Sequence, residues 1–234
     1  MKYWVFTALL FIALASCSSD SSKNAVNTSI NKFELSGTIS NFEAKKVYLN
    51  KLVNKSLFPV DSATITNNKF IINGIVEYPE RFVLTFDSNY SKILLIVENQ
   101  NITITIDSEN FNDPIIKGSK LNDQLNAYKN ASKLIFNKID YLYPHFQKAR
   151  LENDVQRLDE IEKDMKSIET EFKEFSYKFI LNHKNSYIAP ILINDLLKSS
   201  SVDTLKIKNC YTKLGETIKN SPDAILVASY LNLH

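Results

Sequence analysis

The chain has 234 residues, 44% of them hydrophobic and 23% charged, with 28 Lys and Arg against 26 Asp and Glu for a formal net charge of +2. That is the profile of an ordinary globular protein and excludes a disordered, a collagen-like or a multispanning membrane chain. The near-neutral balance gives no electrostatic case for nucleic acid, which requires a clustered basic face.

Lys2 supplies a short positive segment, and residues 4–15 (WVFTALLFIALA) form a nearly unbroken apolar run that closes on small side chains. As a helix this run is about 18 Å long, short of the roughly 30 Å hydrocarbon core of a bilayer, so it is expected to be an export signal over residues 1–16. Its end, Leu14-Ala15-Ser16-Cys17, resembles a bacterial lipoprotein box, which implies that Cys17 takes the lipid and becomes the new N-terminus. Two or more acyl chains, at about 0.8 kcal/mol per buried methylene, make such an anchor effectively permanent. Residues 17–31 are polar, small and aperiodic, as expected of a lipidated flexible tether. The expected location is the bacterial envelope, at the outer membrane facing the periplasm. With Cys17 lipidated, only Cys210 remains, so no intrachain disulfide is expected and stability rests on packing.

Residues 32–118 carry short β-branched and aromatic runs separated by turn signals, which predicts successive antiparallel strands over 33–40, 46–52, 62–66, 69–76, 81–86, 93–98, 102–107 and 115–117. Asn67-Asn68 and Gln100-Asn101 are candidate two-residue hairpin turns. Ile102, Ile104 and Ile106 alternate with Thr103, Thr105 and Asp107, the pattern of a sheet with one wet face. The expected fold class is α+β: an antiparallel β-sandwich or partly open barrel, followed over residues 119–234 by a helical hairpin and short C-terminal helices.

At Gly118 the period changes from 2 to 3.6. Ser119 is a candidate cap, and Leu121, Leu125, Tyr128, Ile135, Ile139, Leu142 and Phe146 follow as one stripe, within which Pro144 is expected to kink or break the helix near Tyr143. Asn153 and Gln156 are spaced as a capping box before a second stripe, Val155, Leu158, Ile161, Met165, Ile168, Phe172, Phe175 and Phe179. Shorter helices are predicted over 187–198, 202–218 and 222–233, the last with Ser221 as cap and Pro222 at its first position.

Several landmarks in order carry a resemblance: residues 33–39 (FELSGTI), Asp61-Ser62-Ala63 with Asn68-Lys69-Phe70, Gly74 with Pro79, and Ile116-Lys117-Gly118-Ser119. Asn185-Ser186-Tyr187, Tyr211, Leu214 and Asn220-Ser221-Pro222 continue it. The sequence resembles the uncharacterised β-rich domain found upstream of thioredoxin-like modules in envelope lipoproteins of Bacteroidota-type bacteria. In those longer relatives the next module carries a redox Cys-x-x-Cys, whose first cysteine attacks disulfides as a thiolate. Here the sequence ends at His234, where that module is expected to begin, and no two cysteines stand three apart, so the redox activity does not carry over.

The remaining chemistry points the same way. His145, His183 and His234 have no metal-ligand spacing, and His145 and His183 are expected at the surface or at a helix end. Cys210, among Ile207, Tyr211 and Leu214, is expected to be a buried small hydrophobe. Gly37, Gly74, Gly118 and Gly215 form no phosphate-cradling cluster. Residues 152–174 hold nine acids against four bases, expected to be a solvated helix face rather than a docking surface for a basic partner. No catalytic residue, cofactor or metal is expected, and Cys17 is the one candidate modification site. The expected function is that of a lipid-anchored, non-enzymatic binding module whose partners are the membrane and, as an alternative role, a thioredoxin-like oxidoreductase.

Overall fold

The structure, a computed structural model, describes residues 32–53, 56–88, 91–199 and 202–233. The expected signal segment, the tether with Cys17, and His234 lie outside the described residues.

Among the described residues eight strands come first: β1 (Phe33–Ser40), β2 (Lys46–Val53), β3 (Ser56–Thr64), β4 (Lys69–Gly74), β5 (Glu80–Phe86), β6 (Ile93–Val97), β7 (Asn101–Asp107) and β8 (Ile115–Lys117). Six helices follow: α1 (Lys120–Glu152), α2 (Val155–Asn182), α3 (Ile188–Leu197), α4 (Thr204–Thr212), α5 (Glu216–Lys219) and α6 (Pro222–Tyr230). The class is α+β, with the strands in two four-stranded sheets ordered β4-β1-β7-β8 and β3-β2-β5-β6.

Period-2 alternation builds the first core. Leu35 and Ile39 of β1, Phe70 and Ile72 of β4, and Ile102, Ile104 and Ile106 of β7 meet Val47, Leu49, Leu84, Ile93 and Leu95 of the other sheet in one buried cluster. Phe42, Phe86 and Phe111 close one end, with ring centroids 4.8 to 6.2 Å apart. Gly37 and Gly74 sit opposite Phe70 and Phe33 across the β1–β4 pair, and the rings occupy the space that a Cβ would take, 2.0 Å and 2.7 Å away.

Pairing departs from the expectation in three places. β1 and β7 run parallel, in register from Glu34 with Asn101 to Ser40 with Asp107, so the sheet is mixed. Gln100-Asn101 is therefore not a hairpin turn: β6 and β7 belong to different sheets, and the link carries the chain across to lie beside β1. β3 starts at Ser56, ahead of the expected 62, and tolerates Pro59 because it is an edge strand whose outer N–H positions need no ladder partner. Asn67-Asn68 does form a two-residue turn, both residues at positive φ (51° and 60°), but it joins strands of the two sheets at a corner. Every non-glycine residue at positive φ among those described is an asparagine: Asn41, Asn67, Asn68, Asn153 and Asn232. With four glycines in the chain, the asparagine amide supplies the left-handed turns.

The helices also correct the sequence reading. α1 runs unbroken through Pro144, which is exposed along with Asp140 one turn before it, so the carbonyl left without a donor faces water. Asn153 is the left-handed C-cap of α1 at φ 53°, and Asp154 caps α2 by accepting from the Arg157 N–H at 3.0 Å, one residue along from the expected box. The predicted helix over 202–218 breaks before Gly215, whose N–H donates to the Lys184 carbonyl. Ser119 and Ser221 cap α1 and α6 as expected.

A second core lies behind β6. Ile96 joins Leu121 and Leu125 of α1, Tyr177 and Ile180 of α2, the apolar face of α3, Ile207 and Cys210 of α4, and Val227 of α6. Leu95, its neighbour, belongs to the first core. β6 is thus buried on both faces, which explains its continuous apolar run ILLIV.

Candidate binding surfaces

The joint between strands and helices is fixed by polar groups as well as by Ile96. Asn122, fully buried in the first turn of α1, lies against the outer edge of β6: its Oδ1 accepts from the Ile96 N–H at 2.9 Å and its Nδ2 donates to the Ile96 carbonyl at 2.7 Å. One side-chain amide thereby satisfies an edge strand that otherwise needs another strand. Ser119 accepts from the Asn122 backbone and side chain and donates to Glu98 at 2.6 Å, so no member of the network is left unpaired. On the same face Arg81 of β5 donates to Asp195 of α3 at 2.6 Å and lies 3.8 Å from Asp223 of α6, which also accepts from Asn194 at 2.6 Å.

Beside this ionic cluster a groove of about 560 Å³ opens at the seam. The connector after β4 and the first residue of β5 line one wall with Glu77, Tyr78 and Glu80, and the end of α5 and the start of α6 line the other with Asn220, Pro222, Ile225 and Leu226. Ile225 and Leu226 are more than half exposed, while Tyr78 meets Tyr187 in a tilted ring contact with centroids 6.3 Å apart. Glu80 is held by Lys51 at 2.9 Å. The groove combines apolar side chains with two carboxylates and an amide, a composition suited to a ligand with apolar side chains and cationic or hydrogen-bond-donating ends.

A second groove, of about 580 Å³, runs along the helical hairpin between Leu134, Asn137, Lys138, Tyr141 and Leu142 of α1 and Asp164, Ser167, Ile168 and Glu171 of α2. Lys138 bridges it to Glu171 at 2.6 Å. Nearer the body the hairpin is sealed by aromatic packing of Tyr128 against Phe172, Phe175 and Phe179 and by the Tyr128–Ser176 hydroxyl contact at 2.8 Å. Burial there raises the Tyr128 phenol above its ordinary value.

The residues weighed in the sequence fall as follows. Cys210 is buried at 1% exposure in the second core, and burial raises its thiol pKa, as for a packing residue. His145 is exposed beside Tyr141, and His183 is the C-cap of α2, its Nδ1 2.8 Å from the Phe179 carbonyl. Among the described residues no group of His, Cys, Asp and Glu is placed to hold a metal ion, and no helix is long and apolar enough to cross a membrane. Tyr78, Ile225, Leu226, Leu134, Tyr141 and Asn122 were not singled out in the sequence. The signal available was apolar residues off the helical stripes, at 134, 141, 225 and 226.

Residues 33–125 match the family described as Domain of unknown function (DUF4369). The match covers all eight strands and takes in the first six residues of α1, so Ser119 and Asn122 fall inside it and the cap on β6 is part of the matched unit. This agrees with the expectation of an uncharacterised β-rich domain family. Comparison with curated proteins finds no match, and comparison with solved structures finds none either.

Proposed function

We propose that the protein is a lipid-anchored envelope module that acts by binding, with the groove at the seam as its ligand site and Cys17 as its anchor. The observation that carries the binding role is the seam groove itself: at about 560 Å³ it is of ligand size, and its two walls come from segments about 140 residues apart that Arg81, Asp195 and Asp223 lock together. Its chemistry favours a short peptide segment pairing Leu or Ile with Lys or Arg. The anchor rests on the apolar run and the Leu-Ala-Ser-Cys ending at Cys17.

Titration of the full chain in detergent with such peptides, followed by NMR, is expected to shift signals of Tyr78, Ile225 and Leu226 and to be silent in Leu226→Asp. Silence in the unsubstituted protein, or turnover of a hydrolase or thiol-disulfide substrate at enzyme-like rates, overturns the reading. Cys17→Ser is expected to move the protein from the membrane to the soluble fraction.

The resemblance noted in the sequence favours a second reading, an accessory role beside a thioredoxin-like oxidoreductase. Repeated recovery of a Cys-x-x-Cys lipoprotein with the purified protein distinguishes it.

A further inference from the structure

The outer half of the hairpin carries an apolar and charged flank that the rest of the molecule does not use. Leu134 and Tyr141 are 70% and 72% exposed, whereas Ile135 between them is buried. Leu134, Lys138, Tyr141, His145 and Lys148 are spaced 4, 3, 4 and 3 and so share one stripe of α1. On α2 Asp164, Ser167, Ile168 and Glu171 line the same groove, and helical spacing continues their stripe to Glu160 and Arg157. One flank therefore carries two lysines, with Glu152 3.9 Å from Lys148 at its far end, and the other three carboxylates against one arginine that pairs with Glu160 at 2.8 Å, with the open groove between them. This leaves Asp164 as the carboxylate without an ion pair of its own among these.

We propose that this face docks on the same face of a second copy of the chain, completing a four-helix bundle. A two-fold axis parallel to the hairpins places each α1 on the partner's antiparallel α2 and points both tips the same way. The Lys138–Glu171 contact fixes which residues share a height. Counting along both helices from it sets Tyr141 level with Ile168, and Lys148 level with the turn that holds Glu160 and Asp164. Across the axis, then, lysine meets carboxylate twice and Tyr141 enters the partner's groove. The face available is roughly 30 Å long and 20 Å wide, about 1,200 Å² counted over both copies, at the lower limit of specific interfaces. The contact uses none of the seam residues and stands or falls apart from the ligand reading.

The test is a charge swap in the full chain, read by a photo-crosslinking residue at Tyr141 in the cells that express it. Expected is a covalent species of twice the chain mass containing only this chain. Lys148→Glu alone and Asp164→Lys alone each place like charges together twice in a homodimer and are expected to lower the crosslinked fraction at least tenfold. Expressed together, the two variants restore both attractive pairs, and the crosslinked fraction is expected to return, which also shows that each variant folds. A crosslink to a different protein or to lipid, no crosslink at all, or no recovery in the mixture overturns the proposal.

Discussion

The β-sandwich and the helical hairpin solve the same problem with opposite success. In the sandwich each sheet offers one face to the other, so the alternating residues of both disappear and Leu35, Leu84, Leu95, Ile102 and Ile106 have no measurable exposure. In the hairpin two helices can cover only one stripe each. The 33-residue α1 and the 28-residue α2 bury Ile135, Ala149, Ile161 and Ile168, yet Leu134, Tyr141, Tyr143, Leu151 and Val155 remain more than half exposed. A layer two helices wide leaves long flanks, so a row of exposed apolar side chains runs along the hairpin, while those of the sheets, such as Ile71 and Ile115, stand on the outer faces of edge strands.

The sharpest contrast comes from truncating each region. Leu84→Ala is expected to cost about 3–4 kcal/mol in chemical denaturation, through lost burial and the cavity left behind. Leu151→Ala, at 84% exposure, is expected to stay within about 0.5 kcal/mol. Equal losses at the two sites would erase the distinction. Between the regions, Asn122→Ala strips both partners from Ile96 and is expected to cost about 2–3 kcal/mol, with the Ile96 amide losing protection in hydrogen exchange before the rest of β6. Gly118→Ala is expected to cost about 2 kcal/mol, because its φ is 84° and a Cβ there meets the Asn101 carbonyl at 2.3 Å. At the hairpin turn the sign reverses: Asn153→Gly keeps the left-handed cap without a Cβ and is expected to raise stability by about 0.5 kcal/mol.

The smallest expected effect is electrostatic. Asn41 donates to both carboxylate oxygens of Asp107 at 2.9 and 3.1 Å, and together with the Glu109 N–H this holds the Asp107 pKa below its ordinary value. Because the folded value is the lower one, its contribution is present above the unfolded pKa and fades as pH falls through the folded one. Asn41→Ala is expected to raise the Asp107 pKa toward that of a free aspartate, measurable by NMR titration.

How much of this was legible follows from which contacts are local. The alternation of Ile102, Ile104 and Ile106 and the period change at Gly118 are short-range signals, and both produced the elements they announce. The parallel pairing of β1 with β7 joins residues 67 apart, and the short link between β6 and β7, with Gln100-Asn101 in it, looks like a hairpin to any local rule. The seam groove was illegible for the same reason, since residues 77–80 and 220–226 meet only through the fold. Asn153 and Asp154 show the finer limit: both are good caps, and only the backbone decides which helix each one serves.

β6 is a party wall. Leu95 faces one core and Ile96, the next residue, faces the other, so neither compartment can be vacated without laying a bare apolar strand open to water. Sheets and inner helices should accordingly melt in one calorimetric transition, while the outer hairpin, which leans on no such wall, frays beforehand and separately.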